Sequence, residues 1–252
     1  MTETDGKSIL VLNVGSSTLK FGLFPLVARD QPLSSGVLEY TPQAVQKLLR
    51  QLEDDSRFAS VRAIGHRVVH GGRTLRKPTR IDASVRRMLQ DLVPLAPDHL
   101  PAELRAIDEV ARLHPDLLQV ACFDTAFHGD LPAVARLFAL SRELSESGIV
   151  RYGFHGLSYE YITTTLRERG ELPSRTIIAH LGNGASIAAV RDGVSIDTSM
   201  GMTPAGGLVM STRSGDLDPG VLLYLSRARG FSLAQLDEAV NHRGGLLGIS
   251  QS

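Results

Sequence analysis

Several short stretches carry side chains suited to chemistry on small anions. In GHRVVHGG a strand period places Arg67 and Val69 on one face, and His66, Val68 and His70 on the other. A guanidinium beside an aliphatic side chain is what a small carboxylate with a short apolar tail requires. The fork pairs with the two oxygens and the valine covers the methyl group. An ordinary ion pair to Asp or Glu is the plain alternative for Arg67. His66 and His70, four apart, would pair on a metal only if helical, and the surrounding valines and glycines read as strand and loop. Asp124 ends the apolar run LLQVACFD, where a carboxylate tends to face a cleft in α/β architectures. His155, in YGFHG, is either a donor to a ligand or a buried structural histidine. The stretch DTSMGMTPAGGLVMSTRSGDLDPG, residues 197–220, gathers five glycines and two prolines around a single Arg, Arg213. Its interspersed Met, Leu and Val argue against a solvated linker and for a loop wrapped on a ligand.

A further candidate is the bend in ILVLNVGSSTLKFGLF, residues 9–24. A plain hairpin needs two turn residues. Here Gly15, Ser16, Ser17 and Thr18 supply close backbone approach and three hydroxyls, and Lys20 adds an amine. That inventory suits a polyanion held on backbone amides, or an ordinary polar hairpin loop. IIAHLGNGASIAAV repeats the plan of strand, Asn and Gly with small polar residues, strand. Two such units suggest duplicated domains, each offering a hairpin to a cleft, with chance convergence as the alternative. Each bend leads into a strand, so neither is a dinucleotide fingerprint, and neither holds a P-loop motif.

These residues need elements to hold them. Strands are expected at 9–13, 19–24, GVLEY, AIGHRVVHGG, LLQVACFD and around the GNG bend and the Asp192–Gly193 turn. Apolar spacing predicts helices over 41–52, 83–92, 101–113, 158–169, 218–229 and 233–240. Of 252 residues, 42% are hydrophobic and 21% charged, enough to bury a real core in two modest domains. Lys plus Arg equals Asp plus Glu at 27 each, which gives no long-range pull toward nucleic acid or an anionic membrane. No apolar run approaches a membrane span, the N-terminus is too polar for a signal peptide, and a cytoplasmic location fits. Cys122, the one cysteine, is expected to be a buried, inert thiol.

Taken together and in order, LNVGSSTLKFGLF, GHRVVHGG, FDTAFH, YGFHG, AHLGNGAS and residues 197–220 resemble acetate kinase. The resemblance implies an α/β fold of the ribonuclease H-like, actin/hexokinase type. Its two duplicated domains, residues 1–125 and an incomplete 126–252, would be hinged around an ATP cleft. It implies transfer of phosphoryl from ATP to acetate, giving ADP and acetyl phosphate, with Mg²⁺ or Mn²⁺, in a protein that is typically a homodimer. Carried over by position, Asn13 would help hold the metal. Ser16, Thr18 and Lys20 would line the nucleotide loop, and His180, Leu181, Gly182, Asn183 and Gly184 would border its phosphates. Arg67 and Arg213 would grip acetate and the migrating phosphoryl group over a shared anion, with His155 as a further donor. Val69, Phe154 and Pro204 would enclose the acetate methyl, and Asp124 matches the active-site aspartate. A carboxylic acid of pKa about 4–5 is already ionised at pH 7, so a general base has little to remove. Asp124 is therefore expected to orient an Arg or the metal's water, and Arg213 to matter more for rate than for ATP binding.

The sequence departs from the family pattern in four places. Tyr159 stands where a second His is usual, and Asp98 where an aliphatic residue closes the acetate pocket. Ala205 and Gly206 replace a bulkier, acidic sequence after Pro204. The sequence also stops at Ser252, where the family continues into its adenosine-binding segment, a Mg²⁺-ligating Glu and a C-terminal helix. A chain ending there is expected to expose apolar surface, and so to be unstable or aggregation-prone, or to need a partner segment to complete it. Propionate or butyrate kinase is an alternative of the same chemistry. A catalytically inactive fragment acting as a dimerisation or phosphate-binding module is an alternative of another class. A zinc hydrolase is not supported, because no histidine spacing sits in a ligating context.

Overall fold

The computed structural model describes residues 6–15, 17–27, 31–53 and 58–251. The chain divides into two compact units, Met1–Ala126 and Phe127–Ser252.

The first unit is built on one mixed sheet. Strands β1 (Ser8–Val14), β2 (Thr18–Pro25) and β3 (Ser34–Glu39) form an antiparallel meander. After helix α1 (Ala44–Glu53), strand β4 (Val61–Val68) returns parallel to β1. The two-residue strand β5 (Thr79–Arg80), helices α2 (Ala83–Asp91) and α3 (Leu100–Leu113), and strand β6 (Leu118–Phe123) complete it. The order is β3-β2-β1-β4-β6-β5, with β4 and β6 parallel. This is the α/β, ribonuclease H-like plan that the motifs imply. Alternation explains which face is buried: Leu10, Leu12 and Val14 of β1 and Ile64 of β4 point into a core with Val45, Leu48, Leu49 and Leu52 of α1. Asp82 caps α2 by accepting from the amides of Ser84 and Val85, both at 2.8 Å.

In the second unit, short helices α4 (Ala133–Arg136) and α5 (Arg142–Glu146) precede α6 (Gly156–Glu168). A three-stranded meander follows: β7 (Arg175–Leu181), β8 (Ala185–Arg191) and β9 (Val194–Thr198), in that order. The repeated strand–bend–strand motif thus opens an antiparallel meander in each unit. Helices α7 (Pro219–Arg229), α8 (Leu233–Asp237) and α9 (Gly245–Ser250) end the chain. Pro219 and the left-handed Gly230 bracket α7 as helix start and stop signals do.

Four sequence expectations are corrected. The strand at GHRVVHGG ends at Val68, short of Val69 and His70. The helix expected over 233–240 continues as a π-helical turn, Glu238–His242. Helix α9 was not foreseen, because its glycine-rich sequence has poor helix propensity. Cys122 is half-buried: the inward positions of β6 are Gln119, Ala121 and Phe123, and Cys122 falls between them. No helix among the described residues is long and apolar enough to cross a membrane.

Candidate functional site

In the first unit, strand register assembles the candidates. β1, β4 and β6 run parallel, with Leu12 opposite His66 and Arg67 opposite Cys122. Asn13 (one past Leu12), Arg67 and Asp124 (two past Cys122) share a face at the carboxyl ends of these strands, where ligand sites form in such sheets. Arg67 Nε and Nη2 donate to Asp124 Oδ2 at 3.1 and 2.5 Å, and Nη1 donates to Asn13 Oδ1 at 3.2 Å. The Asp124 amide in turn donates to the Val68 carbonyl at 3.0 Å, which fixes the carboxylate's approach. Burial opposes the Arg67 charge, but the Asp124 carboxylate outweighs it and holds the guanidinium above its ordinary range.

Glu103 of α3 lies behind this pair. Its Oε2 accepts from the Val69 amide at 3.0 Å, and Oε1 has no hydrogen-bond partner among the described residues. Burial pushes this carboxyl up to about 8. Arg67 and the Val69 amide pull it down, and Asp124 adds to the rise. The sequence carried a signal for it. Leu100, Ile107 and Val110 mark the buried stripe of α3, and Glu103 interrupts that stripe at helical spacing.

Val69 is buried. The β1–β2 bend is tight, with the Gly15 amide donating to the Thr18 carbonyl at 2.7 Å. Lys20 is exposed on β2 directly across from Asn13. Ser16 lies outside the described residues. Asp98 is exposed. His66 Nε2 pairs with Gln119 Oε1 at 2.8 Å, and burial lowers this imidazole to about 4. His70 Nδ1 accepts from the Gly72 amide at 2.9 Å.

In the second unit, the residues gather around the β7–β8 bend. His155 occupies the left-handed region at φ 60°, rare for a residue with a side chain, just before α6. Its side chain does not cap the helix; Nδ1 instead meets Ser186 Oγ at 2.8 Å. His180 stacks on it with ring centroids 4.1 Å apart, and His180 Nδ1 meets Ser158 Oγ at 3.0 Å. Arg213 Nη1 donates to the Pro204 carbonyl at 3.3 Å. A Cβ added to Gly184 would lie 3.2 Å from Arg213 Nη1 and 3.4 Å from His155 Nε2. Both donors therefore converge on space that a glycine leaves open.

The Arg213 loop is held from two sides. The Ser211 amide donates to the Asn183 carbonyl at 3.3 Å, and the Leu246 amide to the Met210 carbonyl at 2.9 Å. Gly182 closes the bend by donating to the Gly184 carbonyl at 3.1 Å. Leu181 and Asn183 are exposed, and Phe154 is fully buried with its carbonyl accepting from His128 Nε2 at 3.1 Å. Sequence reasoning missed Ser186, although a serine on the inward face of β8, in line with Ala188 and Val190, is a readable signal.

The donor set can be tested against a divalent metal. Asn13 Oδ1 already accepts from Arg67, and the described residues hold no cluster of three or more His, Cys, Asp or Glu. Mg²⁺ is usually bound by phosphates and waters with one or two protein oxygens. An oxygen donor such as Asn13 Oδ1 fits a metal held mainly by phosphates and waters.

A family model described as the acetokinase family matches residues 41–252. An acetate kinase of Thermosynechococcus vestitus is 40% identical over 96% of this chain and 70% of its own length. A propionate kinase structure from Francisella tularensis superposes with a TM-score of 0.89 at 38% identity, over 96% of this chain and 70% of the other. A Porphyromonas gingivalis acetate kinase structure gives 0.83 at 37%, over 97% and 70%. The chain thus spans about 70% of the length of these relatives.

Proposed function

The chain belongs to the acetokinase family, and from that premise we propose that it transfers the γ-phosphoryl group of ATP to acetate. The new P–O bond forms at a carboxylate oxygen and the bond to the ADP oxygen breaks, giving acetyl phosphate. The observation that carries the reading is the pair of donors at Gly184, Arg213 Nη1 and His155 Nε2, both in the second unit and held there by a backbone carbonyl and a hydroxyl.

Each group has a physical role. Phosphoryl transfer asks for alignment and charge neutralisation more than for covalent help. Arg213 neutralises charge on the migrating group, and His155 donates a hydrogen bond to it. In the first unit Arg67, oriented by Asp124 and Asn13, binds the acceptor carboxylate, with Val69 for its methyl group. In the second, Phe154 and Pro204 are the apolar groups assigned to the methyl. Asp124 holds Arg67 and takes no proton, because the acceptor is already ionised at neutral pH. In the first unit Thr18 and Lys20 are the phosphate contacts, and in the second the 180–184 bend is. Asn13 would offer its side-chain oxygen to Mg²⁺, which would supply charge neutralisation to the nucleotide phosphates. The protein works as a cytoplasmic homodimer in this reading, as two domains of one duplicated plan.

Propionate is a second acceptor to test, since a propionate kinase superposes at 0.89. The experiment is hydroxamate trapping on purified chain of verified mass, with MgATP and acetate, propionate or butyrate. Acyl hydroxamate that depends on both ATP and the acid supports the reading. A folded chain that yields none with any acid overturns it.

A further inference from the structure

We propose that Tyr159 and Ser186 form a hydroxyl relay that fixes His155 as the neutral Nε2–H tautomer, aimed as a donor at the space beside Gly184. Tyr159 and Ser186 are positioning residues here, since they act through His155. Tyr159 follows His155 by four residues, so both start from one face of the first turn of α6. Ser186 faces them from β8. Its Oγ is hydrogen-bonded to the Tyr159 hydroxyl and, at 2.8 Å, to His155 Nδ1. Tyr159 and Ser186 are both fully buried, so water supplies neither with a partner.

The direction of the relay follows from proton counting. A phenol has one proton, and at a dry site that proton must find an acceptor. Burial pushes the phenol up, so it stays protonated, and Ser186 Oγ is the group hydrogen-bonded to it. Its proton therefore goes to Ser186 Oγ. Ser186 then has one proton of its own to give, and the partner across from it is His155 Nδ1. An imidazole that accepts at Nδ1 carries its proton at Nε2. Nε2 is the nitrogen lying 3.4 Å from a Cβ built on Gly184, where Arg213 Nη1 also arrives.

Two neighbours favour the neutral ring. His180 stacks on His155 at 4.1 Å with the planes 21° apart, and Arg213 brings a fixed positive charge to the same glycine. A second cation at His155 would be disfavoured by like-charge repulsion. The relay also explains a departure noted in the sequence. At the position of Tyr159 a histidine could accept or donate, whereas a buried, protonated phenol hydrogen-bonded to Ser186 passes its proton there.

This rests on the reading of His155 as a donor to the migrating phosphoryl group, and the test separates the two. With ¹⁵N-labelled histidine, the two ring nitrogens of His155 report the tautomer directly in the ligand-free chain. A His155→Asn variant assigns the signals. The expected result is an unprotonated Nδ1 and a protonated Nε2. In Tyr159→Phe and in Ser186→Ala, both signals should shift toward averaged positions, and Ser186→Thr should restore them. Unshifted signals in folded variants overturn the relay, as does an Nδ1–H form in the wild type. That wild-type reading decides the matter even if neither variant folds. An inactive chain with the Nε2–H form would sink the catalytic reading and leave the relay standing.

Discussion

Glu103→Gln should remove a specific pH dependence of stability, and its size follows from two buried groups. Glu103 is 2% exposed and its carboxyl is pushed up to about 8, so the folded chain keeps a proton that the unfolded chain releases from about 4.5 upward. This contribution is whole below pH 4.5 and is lost as pH rises through 8. His66 has the opposite sign. Burial lowers it to about 4 from 6.5, so its contribution is whole above 6.5 and is lost as pH falls toward 4. From 4.5 to 6.5 the folded state holds one extra proton at Glu103 and lacks one at His66, and the two slopes cancel. From 6.5 to 8 only Glu103 acts. One proton corresponds to about 1.4 kcal/mol per pH unit, so the wild type should lose about 2 kcal/mol across that window. Urea denaturation followed by circular dichroism at pH 5, 6.5 and 8 reads it. Glu103→Gln should be flat from 6.5 to 8 and should show the His66 slope below 6.5. Its overall level can differ, because a buried amide brings new donors, but the slope is the test. A variant running parallel to the wild type between 6.5 and 8 would refute the assignment of a buried, proton-holding carboxyl. The same titration should raise KM for the acceptor acid above pH 8, as ionised Glu103 competes for the field of Arg67, and the variant should abolish that rise.

Asp124→Asn should destabilise the first unit by on the order of 2–3 kcal/mol in the same denaturation assay, since it leaves a three-quarters-buried guanidinium without its counter-charge. It should also lower kcat/KM for the acid at every pH; an unchanged rate with one titrating limb removed would instead mark Asp124 as a base. Gly184→Ala places a methyl 3.2 Å from Arg213 Nη1 and 3.4 Å from His155 Nε2, and steady-state assays should show kcat down at least ~10-fold with Tm nearly unchanged. Arg213→Ala should cut kcat on the order of 100-fold while ATP affinity by calorimetry changes only a few-fold; equal losses would sink its transition-state role.

The parts of the fold legible in sequence are those governed by local periodicity. Alternating apolar residues with glycine bends marked β1–β2 and β7–β8, and the helical spacing of Val45, Leu48, Leu49 and Leu52 marked α1. The types of the candidate site residues were legible too, but their partners were not. Arg67 meets Asp124 across 57 residues because β4 and β6 pair in parallel with a particular register, and no local signal encodes that register. Ser186 was readable as a serine on the apolar face of β8, but its partners were not, because Tyr159 and His155 come from the start of α6, 27 and 31 residues earlier. Helix α9 begins at Gly245, whose φ of 64° and missing Cβ admit the Met210 and Arg213 carbonyls, a tertiary demand that local propensity reads as a loop.

The two donor types are tuned in opposite directions, and the acceptor's chemistry gives the reason. Arg67 is kept charged by a buried carboxylate that accepts two of its hydrogen bonds. His155, through hydroxyls, is kept neutral with its proton on the outward nitrogen. An acceptor that is already anionic needs no proton removed, so a basic imidazole or a proton-hungry carboxylate at the site would serve no step. What raises the rate is a set of donors whose positions are fixed before the charge moves. Carboxylate and hydroxyl partners supply that fixity at opposite charge states. On this argument, rate should follow the orientation of Arg67, Arg213 and His155, and should stay level with pH while their partners hold their protonation.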